Sequence, residues 1–370
     1  MRRSSSVTDH DDVFMRRALV LAENHAGHTS PNPMVGCVIV KHGKIIAEGA
    51  HRGPGHKHAE IEALVKLGGK ARGATVYVNM EPCTHRRLGK VPCAVAVKES
   101  GAVRVVVGSK DTFPGHGGGI TALRRAGIAV SRALVAECDA FNRGFLVWAA
   151  TQRPAFTLKA ALTLDGKIAT VTGDAKWITG EAARADGHAW RKRAGAVLTG
   201  VGTVREDDPR LDVRFVQTAR QPLRIVVDSR LETPLDARIV APPGQVLLYA
   251  AIDDIERRRA LEARAVEIAL APSPSGKVDL AAMLADLGRR GINELHVEAG
   301  EKLNASLLAA GLVDELLVYV APRLVGSGRG LAALGPIARL DDALGFAFTR
   351  IDTIGDDLRL MLRPRPAEDR

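Results

Sequence analysis

Aromatic side chains are scarce in this sequence, with 3 Trp, 3 Tyr and 8 Phe in 370 residues. The core must therefore be aliphatic, and few rings are left to form stacking platforms for unpaired bases. Cysteine is scarcer still at 4, which excludes a disulfide framework in a chain of this length. Two of the four, Cys37 and Cys138, sit in apolar or helical surroundings and read as buried structural thiols. No stretch approaches the roughly 18 apolar residues of a membrane span. The run from Ala18 to Ala22 is too short for a signal-peptide core of about 7–15 apolar residues. These features predict a cytoplasmic protein with no membrane partner. Internal repeats and low-complexity segments are absent. So is the G-x-G-x-x-G fingerprint: Gly200-Val201-Gly202 comes nearest, but Arg205 stands where the last glycine belongs.

What is present is an ordinary globular balance, 46% hydrophobic and 25% charged, in a chain long enough for two domains. The net charge of +10 suits anionic partners, either phosphorylated metabolites or nucleic acid, although part of it sits in Met1-Arg2-Arg3 and Arg363-Pro364-Arg365. Helical spacing runs from Asp12 to Ala26, and Ser30-Pro31-Asn32-Pro33 reads as a turn. Val35–Val40 and Lys44–Glu48 form a predicted hairpin about His42-Gly43. Helix His58–Leu67, strand Ala74–Met80, helix Cys93–Ser100 and strand Val103–Gly108 follow. After the polar turn Thr151-Gln152-Arg153-Pro154 the alternation restarts, with strands at Phe156–Ala160, Ala196–Thr199, Leu223–Asp228, Gln245–Tyr249, Glu294–Glu298 and Glu315–Val320. Predicted helices there cover Gly180–Arg193, Leu280–Arg289 and Lys302–Ala310. The expected organisation is two tandem α/β domains, residues 1–149 and 150–370, each with a mainly parallel sheet covered on both faces.

His58-Ala59-Glu60 begins a helix after the turn Gly53-Pro54-Gly55, Glu81-Pro82-Cys83 ends a strand, and Cys93 heads the next helix. A catalytic zinc needs three protein ligands and an open position for water, and one imidazole with two thiolates supplies the three. Zinc lowers the pKa of its water from 15.7 to about 7. Glu60, two residues past His58, can reach that water without ligating the metal and serve as the general acid/base. Each residue alone is an ordinary cap or packing side chain. Their order, His-x-Glu then Pro-Cys then Cys, is that of zinc-dependent nucleobase deaminases. One feature departs: the second cysteine follows the first after nine intervening residues, Thr84 to Pro92.

The run from Pro31-Asn32-Pro33-Met34-Val35-Gly36 to Val40, taken with His58-Ala59-Glu60 and the widely spaced cysteines, resembles the bifunctional deaminase/reductase family of riboflavin biosynthesis. The resemblance continues to the C-terminus. It implies a cytidine-deaminase-like α/β/α layer domain followed by a dihydrofolate-reductase-like α/β domain. The first would use one Zn2+ to hydrolyse the 2-amino group of a diaminopyrimidinone that carries a ribosylamino 5-phosphate. The second would use NADPH to reduce the ribosyl group to ribityl. Lys159 to Gly166, Trp177-Ile178-Thr179, Thr199-Gly200, Asp207 to Leu211, Val227-Asp228-Ser229, Val297 to Gly300 and Tyr319 to Pro322 carry it through the second half.

By that resemblance Ala161, Trp177, Thr203, Asp207, Ser229 and the segment Gly300, Glu301, Lys302, Leu303, Asn304, Ala305 and Ser306 contact NADPH. Lys159, Ala175, Arg191, Leu211, Arg214 and Glu298 hold the substrate. The residue types agree: Gly300 opening a helix offers free N–H groups to a pyrophosphate, and arginine forks suit phosphate. The seven-residue spacing of Arg184 and Arg191 puts both on one helix face, expected to look into the cleft. Three features depart from the family pattern. The loop between the cysteines is longer, Asp111 to His116 replaces a more regular turn, and Ala175 stands where a serine commonly binds substrate. The lost hydroxyl would have to come from Thr172 or water.

The rival class is a nucleic-acid deaminase of the tRNA adenosine type, with the basic charge as an RNA footprint. Few aromatics, and more than half the chain left unexplained by RNA binding, argue against it. A third class, a regulator with one decayed domain, is opposed in the first half by intact His58, Glu60, Cys83 and Cys93. The expected partner is a phosphorylated pyrimidine rather than nucleic acid, and the protein is expected to be a homo-oligomer.

Overall fold

The computed structural model describes residues 9–85 and 91–365. Met1-Arg2-Arg3 and residues 86–90 of the loop between Cys83 and Cys93 lie outside them. The chain divides into two compact units, residues 1–152 and 153–370. The division falls three residues after the expected boundary. The helix there runs on to Thr151 and is stopped by Gln152, whose φ of +58° ends it in the left-handed region.

In the first unit, α1 (Asp9–Glu23) precedes the hairpin β1 (Gly36–Lys41) and β2 (Lys44–Ala50). Then come α2 (Ala59–Val65), β3 (Thr75–Met80), α3 (Cys93–Glu99), β4 (Arg104–Ser109), α4 (Gly119–Arg125), β5 (Ala129–Arg132), α5 (Val135–Phe141) and α6 (Arg143–Thr151). The strands pair in the order β2-β1-β3-β4-β5. β3, β4 and β5 are parallel, whereas β1 runs antiparallel to both neighbours. Near-continuous runs such as Val105-Val106-Val107 are buried on both faces of the sheet, as crossover strands require. One face packs Val76, Val78, Val105 and Val107 against residues of α2, α3, α4 and α6, among them Ala63, Val97, Leu123 and Phe145. The other packs Val38, Tyr77 and Val106 against Met15 and Ala18 of α1 and Cys138 of α5. Gly49 allows close packing beneath the site: a Cβ there would lie 2.2 Å from the Ala59 carbonyl, so β2 and the start of α2 meet backbone to backbone.

The second unit opens with β6 (Ala155–Thr163), β7 (Lys167–Thr170), α7 (Glu181–Ala194), β8 (Ala196–Gly200), α8 (Val201–Asp207) and β9 (Leu223–Val227). It continues through β10 (Val246–Ala250), α9 (Ile255–Glu262), β11 (Val266–Leu270), α10 (Leu280–Arg289), β12 (Glu294–Val297) and α11 (Glu301–Ala309). It ends with β13 (Glu315–Ala321), β14 (Gly328–Gly330), β15 (Phe346–Ile354) and β16 (Asp357–Pro364). The nine-stranded order is β11-β10-β9-β8-β12-β6-β13-β16-β15, and β14 pairs with β7 apart from it. Strands from β11 to β13 are parallel, and the β15–β16 hairpin is added antiparallel to β13. Leu158, Leu198, Ile225, Leu247 and Val297 face Met283, Leu287 and Leu307 on one side. Val197, Val226 and Leu248 face Val204 and Leu261 on the other. In this arrangement β6, β12 and β8 deliver Lys159, Glu298 and Gly200 to the same end of the sheet, where ligands of open α/β sheets bind.

Candidate active sites

The first site gathers at the ends of three elements. His58 precedes α2 with extended backbone, Cys93 is the first residue of α3, and Cys83 follows β3 by a short loop. His58 Nδ1 lies 3.5 Å from Cys83 Sγ and 3.3 Å from Cys93 Sγ. Zn–S of about 2.3 Å and Zn–N of about 2.0 Å make tetrahedral edges of roughly 3.5 Å, so donor types and spacing both fit zinc. Among the described residues this is the one cluster of three His, Cys or acidic side chains with metal-ligand geometry. The Cys93 backbone N–H donates to Cys83 Sγ at 3.5 Å. Hydrogen bonds from Cys93 and His58 hold the Cys83 thiol well below its ordinary range.

Glu60 is 3% exposed, and burial pushes its carboxyl up to about 7 against the opposing pull of His58. A carboxyl near neutrality can both take and return a proton. It lines a cavity of about 200 Å³ with Asn32, His51, Glu81, Asp111, Phe113 and Trp148 among the walls. Asn32, read from sequence as a turn residue within a family-matching run and given no role, pairs its Nδ2 with His51 Nε2 at 2.9 Å. His51 Nδ1 lies 3.0 Å from the Lys57 carbonyl, and burial keeps that imidazole's pKa low. The neutral ring thus donates to Lys57 and accepts from Asn32, which fixes the amide in the wall. Glu81 Oε1 accepts from Ile120 N at 2.8 Å and Oε2 from Asp111 N at 3.2 Å, tying the loop after β4 to the site. Burial raises the Asp111 carboxyl to about 6. No spacing pattern marks His51 or Asp111; only the closing of the sheet brings them beside Glu60.

Cys37 and Cys138 are fully buried, in β1 and α5. Cys37→Ser and Cys138→Ser should therefore bind one zinc per chain as the parent does, whatever their effect on stability. Metal analysis of the folded variants checks this, and loss of zinc from either would show the ligand set to be wrong.

The second site is a cavity of about 450 Å³ in the second unit. All six expected substrate residues line it: Lys159, Ala175, Arg191, Leu211, Arg214 and Glu298. So do Ala161, Trp177, Thr203, Asp207, Gly300 and Glu301 of the expected cofactor set. Ser229 and Lys302 to Ser306 are not part of its wall. Ser229 Oγ accepts from Val278 N, Leu303 packs on the core, and Asn304 is fully buried with its Nδ2 on the Ala299 and Leu331 carbonyls. Gly300 caps α11 beside Thr203, and a Cβ there would meet only Thr203 Oγ1, at 3.5 Å. That open approach to first-turn N–H groups fits a dinucleotide phosphate.

Glu298 is the electrostatic centre. Arg191 donates through Nε to Oε1 at 2.5 Å and through Nη2 to Oε2 at 3.0 Å, and Lys159 Nζ lies 3.5 Å from Oε2. Burial alone would raise this carboxyl, but Arg191 and Lys159 outweigh it and hold Glu298 well below the usual range. Arg184 and Arg191 both reach the cavity wall, as their spacing predicts, yet they do different things. Arg184 lies 5.0 Å over the Trp177 ring and donates to the Thr179 carbonyl, whereas most of the Arg191 fork is committed to Glu298 and the Asp212 carbonyl. Spacing gives a face; it cannot show that a buried carboxylate waits there. Arg210 and Tyr319, which lie in family-matching segments but were given no role, also line the wall, as does His188, which no motif marked.

A zinc-ligand triad beside a buried carboxyl, followed by a separate α/β unit with a phosphate-suited cleft, defines a two-headed enzyme: a zinc-dependent deaminase joined to a reductase. Residues 8–109 match the cytidine and deoxycytidylate deaminase zinc-binding region, and residues 154–360 match the RibD C-terminal domain. The riboflavin biosynthesis protein RibD of Escherichia coli is 41% identical over 95% of this chain and 99% of its own. That of Aquifex aeolicus is 39% identical over 96% and 99%. Acinetobacter baumannii RibD superposes with a TM-score of 0.85 at 36% identity, covering 96% of this chain and 99% of that one. A Thermotoga maritima diaminohydroxyphosphoribosylaminopyrimidine deaminase/5-amino-6-(5-phosphoribosylamino)uracil reductase does so with 0.86 at 32% and the same coverage. The chain belongs to the RibD family of bifunctional riboflavin-biosynthesis enzymes. It is a zinc hydrolase and a reductase with zinc and NADPH as cofactors, and the tRNA-deaminase reading is not favoured.

Proposed function

We propose that this chain deaminates 2,5-diamino-6-(5-phosphoribosylamino)pyrimidin-4(3H)-one in its first unit and reduces the ribosyl group of the product in its second. The observation that carries the reading is the His58, Cys83, Cys93 triangle with buried Glu60 beside it, in a chain whose second cleft centres on Glu298. His58, Cys83 and Cys93 would hold zinc, which when bound would supply a water acidic enough to attack at neutral pH. Glu60 would take the first proton of the attacking water and pass it to the ring nitrogen, then take the proton of the new C–OH and pass it to the amine, which leaves as ammonia as the carbonyl forms. Asn32, its amide fixed by His51, presents a polar group to the ring.

In the second unit NADPH, when bound, would supply a hydride. Ala161, Trp177, Thr203, Asp207, Ser229 and the Gly300–Ser306 segment serve the cofactor. Lys159, Ala175, Arg191, Leu211, Arg214 and Glu298 serve the substrate, with Lys159 and Glu298 beside the ribosyl group and Arg214 at the phosphate. No helix among the described residues is long and apolar enough to cross a membrane, and a cytoplasmic setting without nucleic-acid partners suits a water-soluble phosphorylated substrate. A homo-oligomeric state is supported by β15, an edge strand with Phe348 and Ile351 some 60% exposed. The test is an assay with the diaminopyrimidinone phosphate that follows ammonia release and NADPH oxidation separately. Ammonia should appear without NADPH, and NADPH oxidation should depend on prior deamination; neither signal from the zinc-loaded protein would overturn the reading.

A further inference from the structure

His188, on α7 one turn before Arg191, is 4% exposed and lines the second cavity. Its Nδ1 accepts the backbone N–H of Arg214 at 3.2 Å. A neutral imidazole has one acceptor nitrogen, so that bond places the ring proton on Nε2. Nε2 in turn lies 3.5 Å from Arg191 Nη1, itself a donor that already gives one hydrogen to the Asp212 carbonyl at 2.9 Å. Two donors therefore face each other at the cavity wall, an arrangement that an acceptor within reach of both would complete. Phe215 packs 4.6 Å from the imidazole, and the Arg214 guanidinium lies 5.1 Å from the centre of that same phenyl, with its Nη1 donating to Asp212 Oδ1 at 2.5 Å.

We infer that His188 is a direct anion-binding residue of the reductase unit, donating Nε2–H to a phosphate-monoester oxygen held between Arg191 and Arg214. The assignment rests on the proposed reading of this cleft as the site for the substrate's 5-phosphate and adds a donor that carries no positive charge. Burial first, then Arg191 and Arg214, lower the imidazole's pKa to about 4, while Glu298 and Asp212 pull weakly the other way. A second proton would also have to displace the Arg214 N–H. The ring thus stays a single donor across the working pH range. A neutral donor between two guanidinium groups helps discriminate a phosphate ester from a smaller or less charged anion by geometry rather than by charge.

Asparagine and glutamine separate the two ends of the ring. In His188→Asn the side-chain oxygen occupies the Nδ1 position and still accepts from Arg214 N, but the Nε2 donor is gone. In His188→Gln the amide nitrogen occupies the Nε2 position instead. With the full-length protein loaded with zinc, substrate and NADPH are titrated separately against each variant and against Arg214→Ala, and the unphosphorylated riboside of the substrate is compared with the phosphate. His188→Asn should raise the KM for the phosphorylated substrate about 10- to 100-fold, as expected for a lost hydrogen bond to a charged group, with NADPH affinity and ammonia release unchanged. His188→Gln should recover part of that loss, and the riboside should not distinguish His188→Asn from the parent. His188→Asn binding the phosphate like the parent, while Arg214→Ala does not, would reduce His188 to a prop for the loop and overturn the inference alone. Loss confined to NADPH would assign the donor to a cofactor phosphate and overturn it equally. If the parent itself does not prefer the phosphate over the riboside, and Arg214→Ala changes nothing, the underlying reading of the cleft fails.

Discussion

Glu60→Gln should retain a full complement of zinc and lose ammonia release by about 10²- to 10⁴-fold, the usual contribution of a positioned acid/base. Gln keeps the size and the hydrogen-bonding capacity of the side chain but cannot carry a proton between water and amine. The His58, Cys83 and Cys93 ligand atoms do not include it, so metal content should not change. NADPH oxidation should survive when the deaminated intermediate is supplied, because Lys159, Arg191 and Glu298 line a cleft in the other unit. Metal analysis and a coupled ammonia assay check both halves of the expectation. Ammonia release within tenfold of the parent would remove Glu60 from the reaction.

Arg191→Ala is expected to do more damage than its proposed role at the substrate's phosphate alone would predict. The arginine is 13% exposed and its bidentate partner Glu298 15%, so removal leaves a carboxylate in the cavity wall with Lys159 at 3.5 Å as its nearest cation. Breaking a buried pair by deleting one member typically costs about 3–5 kcal/mol, because the survivor remains desolvated. The unfolding transition of the second unit should fall accordingly in urea or on heating, while zinc binding and ammonia release by the first unit persist. Substrate affinity should also weaken, by the roughly 1.5–3 kcal/mol of a hydrogen bond to a charged group. Adding Glu298→Gln to Arg191→Ala should restore part of the stability and none of the reductase activity. If Arg191→Ala unfolds at the parent's denaturant concentration, the pair contributes nothing to the fold.

Much of the fold was legible because its signals are local. Val and Ile runs mark β1, β3, β4 and β9, most of them beside glycine turns and β9 between Pro222 and Asp228-Ser229, and Gly68-Gly69 and Gly195 stop α2 and α7 with positive φ. Short or alternating pieces were not. α8 is a seven-residue helix that begins at Val201 immediately after β8, too short to show a period. β7 has four residues, and β15 and β16 alternate polar with apolar residues at an edge exposed to solvent. The hairpin of β1 and β2 was expected, but not that β1 joins β3 antiparallel, which leaves only β3, β4 and β5 as the parallel part of the first unit's sheet.

The chemistry of the first site is contained in the order of its residues. A histidine, a glutamate two positions on and two cysteines at strand and helix ends are chemically specific types, and they need only be brought within a few ångströms to hold a metal. What the second cleft does with its charges was decided by the tertiary structure. Arg184 and Arg191 are indistinguishable as helix residues two turns apart. One lies over Trp177 and the other grips Glu298, because β12 runs beside β8 and β6 and ends its carboxylate under α7. The tautomer of His188 depends in the same way on an amide 26 residues downstream. Residue type sets which bonds a side chain can make, and packing sets which partner is there to make them, since a buried charge or donor is defined by its neighbours rather than by its position in the chain.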